Sequence, residues 1–377
     1  MLSVWKRKSA PSWPILKTSM PRQRQLVLSR KLCGRLSGCG QWTVICLANR
    51  TRFWIPIATR LGCASHRPPA CNNEANMKLA FGDRLTEANR QTGTVLCMGI
   101  DPHCSMIPAL FGNAMAEAGS PQAISAIGDF VSACLDSAIG KVAAIKPQAA
   151  FFEQQGPDGM RLLQHLGRAA IDAGILVIMD AKRGDISSTS TAYANAWIGH
   201  DAAFPSDALT INPWLGIDTI EPFLNRADAT ACGLFVLNRT SNSGAGDLQE
   251  QIVDGAPLYT HLAAMLAPLA AARVGESGIS SLGIVAGATW PEDAKLLRTA
   301  LPNAPFLVPG FGAQGAGAEN ATSGLRRGVA GWEGGIVNST RGLIFPEAAA
   351  DAASIADWHA AIDATITENN AVLNTVF

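Results

Sequence analysis

From about residue 90 the chain alternates short apolar runs with longer stretches that place apolar positions at helical spacing. The runs are 95–100 (VLCMGI), 142–146 (VAAIK), 175–180 (ILVIMD), 208–212 (ALTIN), 233–237 (GLFVL), 281–286 (SLGIVA), 305–309 (PFLVP) and 334–338 (GGIVN). Each is nearly continuous rather than alternating, the pattern of a strand buried on both faces. Between them the spacing predicts helices at about 122–138, 159–173, 189–200, 256–273, 291–300 and 346–364. Eight strands alternating with helices predict an α/β fold, a parallel (β/α)8 TIM barrel; a doubly wound open sheet is the alternative. In such a barrel the chemistry sits at the C-terminal strand ends. Polar residues stand at those ends: Asp101, Lys146, Asp180 and Lys182, Asn212, Asn238 to Asn242, Gln314 and Arg341.

Charge divides the chain in two. The net charge is zero over 377 residues, yet residues 1–76 hold 13 of the 30 Lys and Arg and one acid, Glu74. This segment shows no sustained period, and no clean apolar stretch followed by a small-residue cleavage site, so it does not read as a secretory signal. Its composition fits an organelle transit peptide or upstream sequence translated from a misplaced start. We expect a disordered basic extension, or a mis-assigned start, over 1–76 and the barrel domain over 77–377. That domain keeps 17 basic residues against 29 acidic ones. An acidic body argues against nucleic acid as partner, because phosphate backbones favour basic surfaces.

Five of the nine cysteines also lie in the extension, and no CxxC pair or Cys/His ligand spacing occurs anywhere. Neither a zinc site nor a disulfide framework is expected, and a cytoplasmic setting is the simplest. With no apolar run of membrane-spanning length, no membrane association is expected. The stretch Leu262 to Ala272, interrupted by Pro268, reads as a barrel-covering helix.

The strongest local signal is Asp180-Ala-Lys182-Arg-Gly-Asp185-Ile-Ser-Ser-Thr189. Strand side chains alternate faces, so Asp180 and Lys182 point the same way. If that way is the barrel mouth, a carboxylate and an ammonium converge on one pocket, with Lys146 beside them on the neighbouring strand. Charges in such a pocket are costly unless they pair, and nearby carboxylates favour the protonated form of a lysine. A rim salt-bridge cluster is the bland reading of the same string. A second signal lies at the other end: Pro309-Gly310-Phe311-Gly312-Ala313-Gln314-Gly315 after strand 7 and Arg341-Gly342 after strand 8. The loops after strands 7 and 8 of this fold often bind phosphate; glycines let backbone N–H groups approach it and an Arg adds bidentate charge.

Together these motifs resemble the orotidine 5′-phosphate decarboxylase family over roughly residues 77–365. The distinguishing string of 180–189 matches completely, joined by Gly99-Ile100-Asp101, Ile145-Lys146-Pro147 and the two loops just named. The length and Asn212-Pro213-Trp214-Leu215-Gly216 look like the longer bacterial subgroup. The resemblance implies decarboxylation of orotidine 5′-phosphate to UMP, with Lys182 as proton donor to C6 and Asp180 facing the departing carboxylate. Lys146 would bridge the acid network and the ribose, and Asp101 would bind ribose hydroxyls. Asp185 and Thr189 would reach into the site of a partner subunit, making a homodimer with shared active sites. Ser241 would contact the pyrimidine, with Thr240 and Ser243 as close alternatives. Gln314, Arg341 and the glycines 310, 312 and 315 would hold the phosphate.

No cofactor or metal is expected, since the sequence carries no pyridoxal-type lysine context, metal cluster or dinucleotide fingerprint. Catalysis would then be electrostatic, with Lys182 stabilising negative charge at C6 and protonating it. The metal-dependent relatives on the same scaffold, 3-keto-gulonate-phosphate decarboxylase and hexulose-phosphate synthase, carry Glu where this chain has Lys146. A Schiff-base aldolase is disfavoured because a lysine flanked by carboxylates is a poor nucleophile. A non-catalytic nucleotide-binding barrel would have no need of both lysines and both aspartates. His103 reads as a loop residue bordering the site, and Arg183 as a solvated or dimer-interface residue.

Overall fold

The computed structural model describes residues 79–312 and 315–377, so the expectation for residues 1–76 lies outside the described residues. Eight parallel strands close into a barrel in sequence order, which excludes the open sheet. They are β1 (Leu96–Ile100), β2 (Ala144–Pro147), β3 (Leu176–Arg183), β4 (Ala208–Ile211), β5 (Gly233–Arg239), β6 (Leu282–Ala286), β7 (Phe306–Val308) and β8 (Gly335–Ser339). Closure is the pairing of β1 with β8, Leu96 opposite Val337. Every predicted strand overlaps an observed one. β3 runs furthest beyond its prediction, to Arg183, because its register against β4 shifts between Met179 and Arg183.

The six predicted helices fall at Pro121–Ala138, Gly156–Asp172, Ser187–Trp197, Leu258–Ala271, Pro291–Ala300 and, in altered form, near the C-terminus. There the predicted helix over 346–364 is broken. A short turn at Glu347–Ala350 ends, and Ser354 caps a new helix, Ile355–Thr375, by accepting from Asp357 N at 3.2 Å. Glu221–Thr230, between β4 and β5, was not legible: it buries only Phe223, Leu224 and Ala227, too few positions for a periodic signal. Pro268 sits inside Leu258–Ala271. Among the described residues no helix is long and apolar enough to cross a membrane.

The inward faces of the strands explain where the chemistry lies. Low in the barrel they are apolar: Cys97, Ala144, Ile178, Ala208, Phe235, Leu307 and Ile336 form one buried cluster. The strand period of two carries the same faces upward to Gly99 and Asp101, Lys146 and Gln148, Asp180 and Lys182, Thr210, and Asn338 and Thr340. The barrel is thus plugged below and, on these strands, polar above.

A helix at Phe81–Thr92 covers the N-terminal end. Phe81 inserts edge-on against Phe235, ring centroids 5.8 Å apart. Gly233 permits this approach, since a Cβ there would stand 2.2 Å from the Phe81 ring. Next to it, Arg84 pairs with the buried Asp207, which also accepts from His200 Nε2 at 2.8 Å and from Val177 N at 2.8 Å. Burial alone would raise the Asp207 carboxyl; His200 and Arg84 instead hold it below the usual carboxylate range.

Asp207→Asn should cost about 3 kcal/mol at neutral pH, because it leaves the Arg84 guanidinium buried without its counter-charge. A carboxyl depressed in the folded state contributes stability above its ordinary pKa and loses it as pH falls through the folded value. The deficit should therefore narrow below pH ~4. Urea denaturation at several pH values checks both parts, and a pH-independent deficit would rule out the linkage.

Candidate active site

The upper inward face opens into a cavity of about 760 Å³. Its walls differ. Asp101, Lys146, Gln148, Asp180, Lys182, Thr210, Asn338 and Thr340 line one side, while Leu237, Val285 and Leu307, from β5 to β7, line the other. A planar ring with one charged edge matches such a space.

Asp180 is the centre of the charged side. Its Oδ2 accepts from Lys146 Nζ at 2.8 Å and from Gln148 Nε2 at 3.2 Å. Its Oδ1 accepts from Lys182 Nζ at 2.6 Å and from Thr210 Oγ1 at 2.9 Å. Burial opposes ionisation of Asp180, but the two lysines override it and hold the carboxyl well below the usual range. Burial also works against charge on Lys146, yet Asp180 and Asp101 hold its ammonium above the ordinary lysine value. Asp101 goes the other way: burial dominates and raises its carboxyl despite Lys146. Two carboxylates within reach of one lysine are thereby driven apart in acidity. Beneath them the Cys97 thiol is pushed up to about 12 by burial, so it stays neutral.

Local backbone geometry aims these groups. Lys182 has φ of 47°, a left-handed conformation uncommon outside glycine, and it coincides with the register shift against β4. Thr210 holds the kink, since its Oγ1 also accepts from Lys182 N at 3.0 Å. Across the barrel, Gly99 lets the end of β8 come close: a Cβ there would meet Thr340 Oγ1 at 1.9 Å. Asp101 Oδ1 and Asn338 Oδ1 are buried and without a hydrogen-bond partner, two acceptors on cavity-lining residues.

The sequence-predicted residues divide accordingly. Lys182, Asp180, Lys146, Asp101, Ser241, Arg341 and Gly310 all line the cavity. Asp185 and Thr189 do not line the cavity of their own chain. Gln314 lies outside the described residues. Gly312 and Gly315 stand in the turn beside Gly310 rather than in the cavity wall. Neither lines the cavity, Gly312 N donates to Ala316 O at 3.2 Å and Gly315 N to Gly312 O at 2.8 Å, so they shape the turn. Their φ of 76° and 85° is the reason for glycine. Asn212 is not at the cavity either; its Oδ1 accepts from Trp214 N at 3.0 Å.

Arg183 is held within its own chain, bonded to Glu153 and stacked 4.8 Å over the Trp197 ring. His103 does border the cavity, packed edge-on against Phe151 with centroids 4.3 Å apart. Thr210, Gln148 and Asn338 were missed as site residues. Their signal was available: each continues the inward parity of its strand beyond the apolar plug.

The fold and the charged network define a (β/α)8 barrel with a charge-lined pocket at its C-terminal mouth, where enzymes of this fold carry their active sites. Comparison with known proteins makes the class specific. Residues 94–354 match the family model described as Orotidine 5'-phosphate decarboxylase / HUMPS family. The chain is 39% identical over 299 residues to an orotidine 5'-phosphate decarboxylase of Rhodopirellula baltica, covering 78% of this chain and 98% of the relative. It is 39% identical over 282 residues to one of Haloarcula marismortui, covering 74% and 90%. The solved structure of Leishmania donovani OMP decarboxylase superposes with a TM-score of 0.60 at 31% identity, covering 79% of this chain and 98% of that one. This chain belongs to the orotidine 5′-phosphate decarboxylase family.

Thr210→Val keeps the volume of the side chain but removes the donor to Asp180 and the acceptor for Lys182 N. It should lower kcat/KM for orotidine 5′-phosphate roughly tenfold, the value of one or two hydrogen bonds to a charged group. Steady-state kinetics on a variant with unchanged circular dichroism measures it. Wild-type turnover would show that the hydroxyl does not orient the pair.

Proposed function

We propose that the cavity removes CO2 from orotidine 5′-phosphate to give UMP by fixed charges on its own side chains. The observation that carries the reading is the buried Asp180 accepting from both Lys146 and Lys182, at 2.8 and 2.6 Å. In the reaction the C6–carboxylate bond breaks, CO2 departs and its bonding pair stays on C6. The Lys182 ammonium then gives a proton to C6 and recovers one from solvent. A fixed, ionised Asp180 beside the substrate carboxylate disfavours the ground state, while the Lys182 ammonium gains as charge develops on C6. Lys146 keeps Asp180 ionised. Asp101 supplies an acceptor to ribose hydroxyls, and Ser241 meets the pyrimidine over the apolar wall of Leu237, Val285 and Leu307.

The phosphate takes Arg341, the Gly310 backbone and Gln314. Binding energy from that remote group orients the base. The strand 2 position favours this reaction over those of the metal-dependent relatives within the family, because Lys146 stands there in place of a metal-ligating Glu.

Asp185 and Thr189 belong to the same reading through a homodimer, each reaching the cavity of the other subunit. Two features support it: neither lines its own cavity, and large apolar side chains are exposed on the same segment and on the loop after β4. Ile186 is 57% exposed and Trp214, on the next loop, 68% exposed. Such apolar exposure marks a surface that a partner covers. Biosynthesis of a free nucleotide and the free thiols Cys97, Cys104, Cys134 and Cys232 fit a cytoplasmic location.

The first test is loss of orotidine 5′-phosphate absorbance with EDTA present; conversion to UMP at an undiminished rate is expected. Activity that needs added Mg²⁺, on a sugar phosphate, would move the assignment to the metal-dependent relatives. Lys182→Ala should lower kcat by roughly four powers of ten or more while UMP binding stays measurable. Mixing inactive Lys182→Ala and Asp185→Ala chains should restore activity, since a shared site leaves one intact cavity per mixed dimer. No recovery after subunit exchange would argue for self-contained sites.

A further inference from the structure

The loop after β5 carries Ser241 over the cavity, and its base holds a charge cluster that the reaction itself does not use. Thr240 and Gln249 clasp the loop shut: Thr240 N donates to Gln249 Oε1 at 2.9 Å and Gln249 Nε2 donates to Thr240 Oγ1 at 2.8 Å. Between them the chain folds on itself, with Ala245 N donating to Asn242 O at 3.1 Å and Gln249 N to Ala245 O at 2.8 Å. Residues 240–249 thus form a compact loop whose ends meet, able to shift as one body. Ser241, Asn242, Ala245 and Leu248 on it all face the cavity.

What fixes that body to the barrel is Arg239. The register of β5 against β6 slips between Leu237 and Arg239, so Leu237 faces the cavity while Arg239 is not among its lining residues. Its side chain is only 2% exposed. The guanidinium donates through Nε to Asp293 Oδ2 at 2.7 Å and bonds Glu250, the residue directly after the clasp. It lies 4.1 Å over the Trp290 ring, and Trp290 Nε1 donates to Thr240 O at 3.0 Å. Tyr259 OH donates to the other Asp293 oxygen at 3.0 Å. The loop is therefore held at both ends by one buried cation. Arg239 Nη1 is buried without a partner, so the arrangement is not the most stable one available to an arginine.

We propose that Arg239 is a positioning residue: through Glu250 and Trp290 it sets where the Ser241 loop rests, and hence how closely the pyrimidine is pressed toward Lys182. This rests on the assignment of the cavity to orotidine 5′-phosphate. On that assignment the loop meets the base while Arg341 takes the phosphate, so loosening its anchor weakens capture of the nucleotide and leaves phosphate binding alone.

Glu250→Gln removes the negative charge from one contact at a side chain that is 47% exposed and outside the cavity, which spares the fold. It should lower kcat/KM and raise the Kd for UMP roughly fivefold, the scale of a part-exposed ion pair, with the Kd for inorganic phosphate and the Tm unchanged. Arg239→Met should lose roughly a hundredfold in kcat/KM, and Arg239→Lys should recover part of it by keeping the charge but reaching one carboxylate at a time. Trp290 reports the anchor directly. In 5-fluorotryptophan-labelled protein its 19F resonance, assigned with Trp290→Phe, should move on adding UMP, and move less in Glu250→Gln. Wild-type UMP affinity and kcat/KM in Glu250→Gln would overturn the proposal. So would an equal loss of phosphate affinity, which indicates general damage. Absence of turnover in the unaltered chain sinks the functional reading instead, and the Trp290 shift with UMP still tests the anchor.

Discussion

One buried carboxylate, bonded to two lysines on opposite oxygens, is the constraint around which the barrel mouth is arranged. Asp180 could not remain charged at that depth alone, since desolvating an ion costs several kcal/mol. Lys146 and Lys182 make it possible, and Asp180 returns the favour to Lys146. Removing Asp180 would leave the buried Lys146 without its hydrogen-bonded counter-charge. The remaining features follow from keeping the set in place: the kink at Lys182, the Thr210 hydroxyl bracing that kink, and the missing side chain at Gly99 that admits the end of β8. A network of this kind does not need to be the best source of stability. It needs to hold charges of fixed sign at fixed points before the substrate arrives, so that little reorganisation remains for the reaction.

Asp101 completes the logic by contrast. It faces the same lysine, yet burial raises its carboxyl while Asp180 is depressed. The difference is one of partners. Asp180 has four donors, whereas Asp101 retains an oxygen with none. A carboxylate already saturated by the protein is suited to act through its charge. One with an unfilled oxygen is suited to take a hydroxyl from a ligand. Environment thus divides labour between two chemically identical side chains on either side of Lys146.

The barrel was legible because parallel strands buried on both faces are apolar along most of their length, and polar residues enter mainly towards the C-terminal strand ends. The short, polar Glu221–Thr230 helix was not, because helical periodicity cannot accumulate over three buried positions. The break before Ser354 was hidden too: alanine-rich sequence on both sides propagates a helix on paper, and the cap at Ser354 competes only once tertiary packing sets the direction of the chain. At the site, the charged string of 180–189 was readable as a motif, but Thr210 and Asn338 looked like ordinary strand residues. Only closure of the barrel turns strand parity into a shared interior. The glycines after β7 are ambiguous for a different reason. A Gly-rich loop can offer its N–H groups to a phosphate or spend them on its own turn, and sequence does not distinguish the two.

Packing elsewhere in the fold likewise places the Ser241 loop. A motif supplies a hydroxyl near a ring, but distance to the ring is set by whatever holds the loop, and here that is an arginine facing away from the reaction. Its two carboxylates come from the far end of the loop and from the helix after β6, so three elements must be correctly packed before the hydroxyl arrives in place. Charged chemistry at the barrel mouth tolerates little error, because Coulomb energies in a dry pocket change steeply with distance. An arginine with five donors in a rigid fork can register three elements at once, which a lysine or an apolar contact cannot. That is a physical reason for burying a cation at the base of the loop, even though an apolar residue there would be cheaper to desolvate.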